Sequence, residues 1–399
     1  MSVTGLRADA AAIGTELAGL RRAIHAEPEI GLDLPATQRK VLDALAGLPV
    51  EISLGTGLSS VTAVLRGGQP GPAVLLRADM DALPVSERTG LPYASRTDGA
   101  MHACGHDLHT AMLIGAARLL SARRQDLAGT VVLMFQPAEE SGGGARIMID
   151  EGVLDAAGTR PVAAYALHVA SALLPPGVVA SRSGTVMAAA DVLDVTVHGR
   201  GGHGSQPHHA ADPIPAACEI VLALQAMVTR QFDVFDPVVL TVGTFHSGTV
   251  DNVIPDDAHL RATVRTFSPA ARSAISAAAP KLARDIATGH GLSASAEFVD
   301  GYPVTVNDAD ELDRAEHTVG EVLGAGRFVT LPNPIPGSED FSYVLERVPG
   351  AFLMLGAVPP DADPSTAPFN HSAEAVFDDS MLPDGAALYA GLAIRRLAR

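Results

Sequence analysis

The chain has 399 residues, a length that asks for two or three cores rather than one, and two domains is the working expectation. With 47% hydrophobic and 18% charged residues it can fill buried cores, which excludes a disordered chain. A formal net charge of −17 repels phosphate backbones and anionic headgroups, so no nucleic acid and no membrane is expected as a partner.

The N-terminus lacks a basic segment followed by an apolar core, and no stretch reaches about 18 consecutive apolar residues, so the sequence reads as soluble and cytoplasmic. The two cysteines, Cys104 and Cys218, form no CxxC pair and no disulfide framework, which predicts a reducing compartment. A thiol kept reduced can ligate metal as its thiolate.

In chain order, residues 4–46 show helical spacing broken around Pro28 and Gly31. Short apolar runs at 73–76, 131–135 and 163–167 predict buried strands, and each is followed at once by polar residues, RADMD, QPAEE and HV. Strands alternating with helices predict an α/β layer, a mostly parallel or mixed sheet between helices, with ligand sites beyond the strand ends.

From about residue 185 the pattern changes, because Leu193, Val195 and Val197 alternate with polar neighbours as in a half-buried strand. A helix at 212–231, strands at 238–245 and 258–267, a helix at 269–288 and a strand at 294–299 complete a βαββαβ order. That order predicts an inserted ferredoxin-like α+β domain over 185–299 within a discontinuous first domain, 1–184 and 300–399. Helices at 308–323 and 339–347, a strand at 351–355 and a last helix from 382 return to the first layer.

The densest polar cluster is MHACGHDLHTA, where Cys104 and His106 stand two apart ahead of a helix. A buried cysteine and a satisfied core histidine explain that pair equally well. Glu139 and Glu140 follow a strand directly, so one could ligate metal while its neighbour handles protons; a solvated loop pair is the commoner fate of adjacent glutamates. His168 ends a strand-like run and His371 lies in FNHSAE, and each alone reads as a structural histidine. Together these residues supply one thiolate, three imidazoles and a carboxylate, a set suited to borderline-soft divalent ions, and five ligands point to two ions sharing one. Asp79 and Asp81 could orient a ligating histidine, although Asp79 reads almost as well as a helix N-cap. His203 lies in a glycine-rich loop without a phosphate-binding pattern.

The series RRAIHAEPEIG, LLRADMDALPV, MHACGHDLHTAMLIGAA, LMFQPAEESGGGA, ALHV, VTVHGRGGHGSQPH, DNVIP, GSEDFSYV and FNHSAE resembles the N-acyl-amino-acid amidohydrolases. These form the hippurate hydrolase and IAA-amino acid hydrolase branch of the aminoacylase and carboxypeptidase metallopeptidase superfamily. The resemblance spans nearly the whole chain and departs from the pattern at Asp33-Leu34-Pro35 and at Ala373. It implies an aminopeptidase-like catalytic domain carrying a lid and dimerisation domain. It implies two divalent metal ions, zinc first, with manganese, cobalt or nickel as alternatives. Cys104 would bridge them, with His106 and His168 on one ion and Glu140 and His371 on the other.

By the same resemblance Glu139 is the general base, Asp81 its support, and His203 an oxyanion donor reaching the partner subunit's site. Asn252 and Arg265 hold the substrate's free carboxylate. The implied reaction is hydrolysis of a small N-acyl amino acid by a metal-activated water in a homodimer or higher homo-oligomer. A dipeptidase or carboxypeptidase with the same centre is the nearest alternative, and a catalytically silent metal-binding homologue is the alternative from another class.

Overall fold

The computed structural model describes residues 2–398. It divides into two compact units, one of Met1–Val186, Val306–Asn333 and Asp340–Arg399, the other of Met187–Thr305 and Pro334–Glu339. No helix among the described residues is long and apolar enough to cross a membrane.

The first unit is built on an eight-stranded sheet in the order Val50–Leu54, Val61–Arg66, Ala128–Gln136, Gln69–Asp79, Ala163–Ala170, Gly350–Gly356, Val179–Ser181, Phe328–Thr330. Its centre is parallel: Gln69–Asp79 pairs in parallel with both Ala128–Gln136 and Ala163–Ala170, and the latter with Gly350–Gly356. Antiparallel pairs toward both margins make the sheet mixed. The central strands are buried over 73–79, 131–136 and 163–167, which is why those stretches read as apolar runs. Because three neighbouring strands point the same way, Asp79, Gln136 and His168 finish on one edge, with Asp79 directly opposite Gln136 in the register.

Two sequence expectations change here. The first segment forms three helices, Leu6–Ala12, Gly14–His25 and Pro35–Leu45. The helix expected over 339–347 shrinks to Ser342–Leu345, because Asp340 turns inward into a buried hydrogen-bond cluster instead of starting a helix.

The second unit holds a four-stranded antiparallel sheet, Val238–Ser247, Asp257–Thr266, Ala189–His198, Ser293–Tyr302, with helices Pro213–Gln231 and Pro269–Gly289. In order of appearance the strands lie 2-3-1-4, the arrangement of the split βαβ unit. Alternate residues of Ala189–His198 are buried, so one face packs on the helices and the other is open.

Candidate metal centre and active site

Helix His106–Ala122 begins immediately after Gly105, whose φ of 83° lies in the left-handed region. A Cβ there would stand 2.4 Å from Val169 Cγ2, so only glycine lets the Cys104 loop approach the end of strand Ala163–Ala170. The approach matters, because it sets Cys104 beside His168.

Cys104 Sγ lies 3.3 Å from His168 Nε2 and 3.3 Å from His371 Nε2. The ligand-type atoms form two triplets, each within 4.8 Å: Cys104, His106 and His168; and Cys104, Glu140 and His371. Cys104 belongs to both. His106, Glu139 and Glu140 make a further group on the same criterion. The structure thus brings together all five residues singled out as ligands and the glutamate singled out as base.

The orientation of each imidazole follows from its second nitrogen. His168 Nδ1 donates to the Val169 carbonyl at 2.9 Å, which leaves Nε2 as the lone-pair nitrogen facing Cys104. His371 adopts a φ of 72°, unusual for a residue with a side chain, and its backbone N–H donates to Ala103 O at 2.8 Å. His106 is fully buried, yet its ring nitrogens have only long contacts, Nδ1 to Asp81 at 3.4 Å and Nε2 to Asp79 at 3.5 Å, without a well-formed hydrogen bond, while Glu140 Oε1 faces His371 Nε2 at 3.2 Å. Buried polar atoms are seldom left in that condition unless they serve a ligand. Thiolate, imidazole and carboxylate together suit a borderline-soft divalent cation, so these residues fit a metal pair.

The electrostatics agree. Hydrogen bonding to Cys104 and then to Glu140 pushes the His371 pKa up to about 10, the response of a site that draws positive charge. Burial opposes ionisation of Asp79, but Arg77, His106 and His109 outweigh it and hold this carboxyl well below its ordinary range.

Asp81 accepts the backbone N–H of Glu139 on one oxygen and that of Glu140 on the other, both at 3.0 Å, while its Oδ1 lies 3.4 Å from His106 Nδ1. One carboxylate therefore sets the backbone of the base, a ligand candidate and a ring at once. Asp79 ends its strand rather than capping a helix, and it accepts from Arg77 Nη1 at 2.7 Å and from His109 Nδ1.

Sequence reasoning passed over four residues. His109 accepts the Val169 N–H at Nε2, 2.8 Å away, so its proton sits on Nδ1 toward Asp79 and the pair fixes the strand end beside His168. Asn370 donates to the carbonyls of Cys104 and Val169 at 3.2 and 2.9 Å. Buried Arg77 and Asp340 meet at 2.9 Å. His109 stands one helical turn after His106 and Asn370 next to His371, so adjacency was the available signal; Arg77 and Asp340 carried none.

In the second unit, His203 is exposed in a short strand, Gly202–His203, paired with Val253–Ile254. Gly204 N–H donates to Asn252 O at 2.8 Å, so His203 and Asn252 are brought side by side. The Ser205 backbone N–H reaches His203 Nδ1 at 3.1 Å; an amide can only donate, so the neutral ring carries its proton on Nε2. Arg265 lies half-buried on the sheet face away from the helices, and its guanidinium has no hydrogen bond or ion pair among the described residues. Burial lowers its pKa, and Asp191 works against that shift.

Comparison with known proteins follows the same lines. The sequence pattern of "Peptidase family M20/M25/M40" matches residues 75–395. Thermostable carboxypeptidase 2 of Saccharolobus solfataricus is 38% identical over 397 residues, covering 98% of each chain. N-acetylcysteine deacetylase of Bacillus subtilis is 38% identical over 349 residues, covering 86% of this chain and 89% of the relative. The crystal structure of the Bacillus subtilis YXEP protein, described as a dinuclear metal-binding peptidase of the M20 family, superposes with a TM-score of 0.83 at 34% identity, covering 97% and 99% of the two chains.

Proposed function

Because this chain belongs to peptidase family M20/M25/M40, we propose that it hydrolyses the amide bond of N-acyl amino acids at a centre of two divalent metal ions, releasing a carboxylic acid and a free amino acid. The observation that carries the reading is the pair of ligand triplets sharing Cys104, with Glu139 beside them. His106 and His168 would hold one ion and Glu140 and His371 the other, with Cys104, a member of both triplets, shared between them. Such ions supply a nucleophilic water near neutral pH and polarise the scissile carbonyl. Zinc fits the donor set best, with manganese, cobalt or nickel as alternatives.

The chain's own groups do the rest. Glu139 takes a proton from the attacking water and returns it to the departing amine, which needs the carboxylate aimed and shielded. Asp81 supports that aim by binding the two consecutive backbone amides of the base and its neighbour. His203 presents an Nε2 proton for the oxyanion of the tetrahedral intermediate, reaching the site of the partner subunit in a homodimer. Asn252 and Arg265 bind the free carboxylate of the substrate; an unengaged guanidinium offers the two-pronged fork that a carboxylate accepts.

A carboxypeptidase is the second reading, favoured by the name of the Saccharolobus relative. The metals and the carboxylate clamp would serve a C-terminal peptide bond equally well. Metal analysis joined to amine release from a panel of N-acetyl and N-benzoyl amino acids, dipeptides and longer peptides separates the two. Faster turnover of acyl amino acids upholds the proposal. Preference for peptides transfers the chain to the second reading, and a metal-loaded protein inert on the whole panel overturns both.

A further inference from the structure

The loop that carries the base is under constraint. Ala138, immediately before Glu139, has a φ of 58° and is fully buried. A left-handed conformation is unfavourable for a residue with a Cβ, so it persists only where the surroundings over-determine it. Asp81 holds the backbone amides on the far side of that residue. Those contacts leave the direction of the Glu139 side chain unset.

Asp340, in the GSEDFSYV motif to which the reaction above gives no task, reaches this loop in two ways. Its carboxylate, wholly shielded from water, accepts from Gln136 Nε2 at 2.8 Å, from the Ala145 backbone N–H at 2.9 Å and from Arg77 Nη2 at 2.9 Å. Gln136 and Ala145 flank residues 137–144, the segment that bears the base, so one carboxylate clasps it at both ends. The backbone N–H of the same Asp340 donates to Glu139 Oε1 at 3.3 Å. The side chain is the anchor, and the main chain touches the base.

Resting on the function proposed above, we propose that Asp340 is a positioning residue for the general base, with its buried carboxylate closing the 137–144 loop so that its own amide orients the Glu139 carboxylate. Burial of a full charge among three strong donors is costly to assemble and rigid once made, which suits an aiming device. Arg77 extends the same brace: it binds Asp340 with one nitrogen and Asp79 with another, and Asp79 holds His109 at the end of the strand bearing His168.

The test is Asp340→Asn, which keeps the shape but turns an NH2 toward donors that need an acceptor. Assayed as the metal-loaded protein on the best acyl amino acid, it is expected to lose roughly ten- to a hundredfold in kcat, with KM within about threefold and metal content unchanged. Introduced into Glu139→Ala, it should lower the residual rate no further, since a residue acting through the base has nothing left to act on. A crystal structure of metal-free Asp340→Asn should show the Glu139 carboxylate displaced.

Unchanged kcat, loss of bound metal in proportion to activity, an equal further loss in the Glu139→Ala background, or an unmoved Glu139 each overturns the inference. If Asp340→Asn does not fold, Gln136→Leu removes one clasp while leaving the carboxylate and Arg77 paired, and the same split of kcat from KM is expected at smaller size. Should the wild type be inert on every substrate, the functional proposal fails by itself, and the position of Glu139 in the variant crystal still decides this one.

Discussion

Residues 102–109 feed two buried polar clusters that differ in one respect. Around Asp107 the charges are closed upon themselves: Asp107 Oδ2 lies 2.7 Å from both Arg21 Nε and His25 Nδ1, Arg21 Nη1 reaches Asp379 at 3.1 Å and Tyr93 at 2.8 Å, and His25 Nε2 faces Glu87 at 3.3 Å. Around Cys104 they are open: the His106 nitrogens make only contacts of 3.4 Å or longer to carboxylates, and His371 is driven toward its cationic form. The same eight residues supply both. Buried polarity is therefore no sign of function; the convergence of thiol, imidazole and carboxylate donor atoms in two triplets sharing one residue is. The closed cluster keeps loose ends too: Asp107 Oδ1 has no hydrogen bond, and His102 has neither ring nitrogen bonded among the described residues, with burial holding its pKa at about 3 so that it stays neutral.

The contrast breaks most sharply at the base. Glu139→Ala should keep its metals while kcat falls roughly 10²–10⁴-fold, the contribution of a positioned proton-transfer group, as read by steady-state kinetics with metal analysis. Near-wild-type turnover would remove Glu139 from the mechanism.

Next in size is a stability comparison in the metal-free protein. Asp107→Ala leaves Arg21 and His25 buried without their carboxylate and should cost about 3–5 kcal/mol by denaturant unfolding. His106→Ala deletes a ring whose nitrogens lack a well-formed hydrogen bond, so relief of roughly 1–3 kcal/mol offsets the lost packing and the midpoint moves less, while metal binding is lost. Equal destabilisation by the two would erase the distinction between closed and open clusters.

Arg265 is the open group of the second unit. Arg265→Ala should cost about 1.5–3 kcal/mol of preference for substrates with a free carboxylate over their amides, roughly ten- to a hundredfold in relative kcat/KM. An unchanged ratio would place the clamp elsewhere.

The smallest effect concerns the closed cluster and pH. Burial raises the Glu87 pKa, but hydrogen bonds from His25, the Thr89 hydroxyl and the Ser95 amide outweigh it and hold the group at about 2. A carboxyl depressed below its unfolded value of 4.5 adds stability above that value and loses it as pH falls toward 2. Glu87→Gln should therefore lower Tm at pH 7 and lower it progressively less between pH 4.5 and 2. A penalty independent of pH would mean that the charge of Glu87 has no part in it.

The sequence announced the open cluster better than the closed one, and the reason is local. Cys104, Glu139, Glu140 and His168 each lie close to an apolar run or a glycine turn, and His371 sits in a turn-rich loop, so their placement at strand and helix ends can be read from neighbours. Both helices and all four sheet strands of the second unit were legible for the same reason, since alternation and amphipathic spacing are short-range patterns. Arg77 and Asp340 are bonded across 263 residues, and Arg21 and Asp379 across 358, so nothing near either end marks the pairing. The helix expected over 339–347 failed on that hidden partnership: its first residues read as helical until Arg77 and Gln136 claim Asp340.

Asn370 binds the Cys104 carbonyl, 266 residues before it, and the Val169 carbonyl, 201 residues before it, and His371 follows it in the chain. During synthesis, then, the two loops it joins wait until Asn370 itself has left the ribosome. Contacts so distant in sequence close late, after the loop-closure entropy of the intervening chain has been met. A chain truncated before Asn370 therefore keeps all eight strands of the first sheet and two of the three members of the second triplet, so it can collapse and even hold a thiol beside His168, yet it cannot complete the centre. Hydrolytic competence arrives only once the segment carrying Asn370 and His371 is in place.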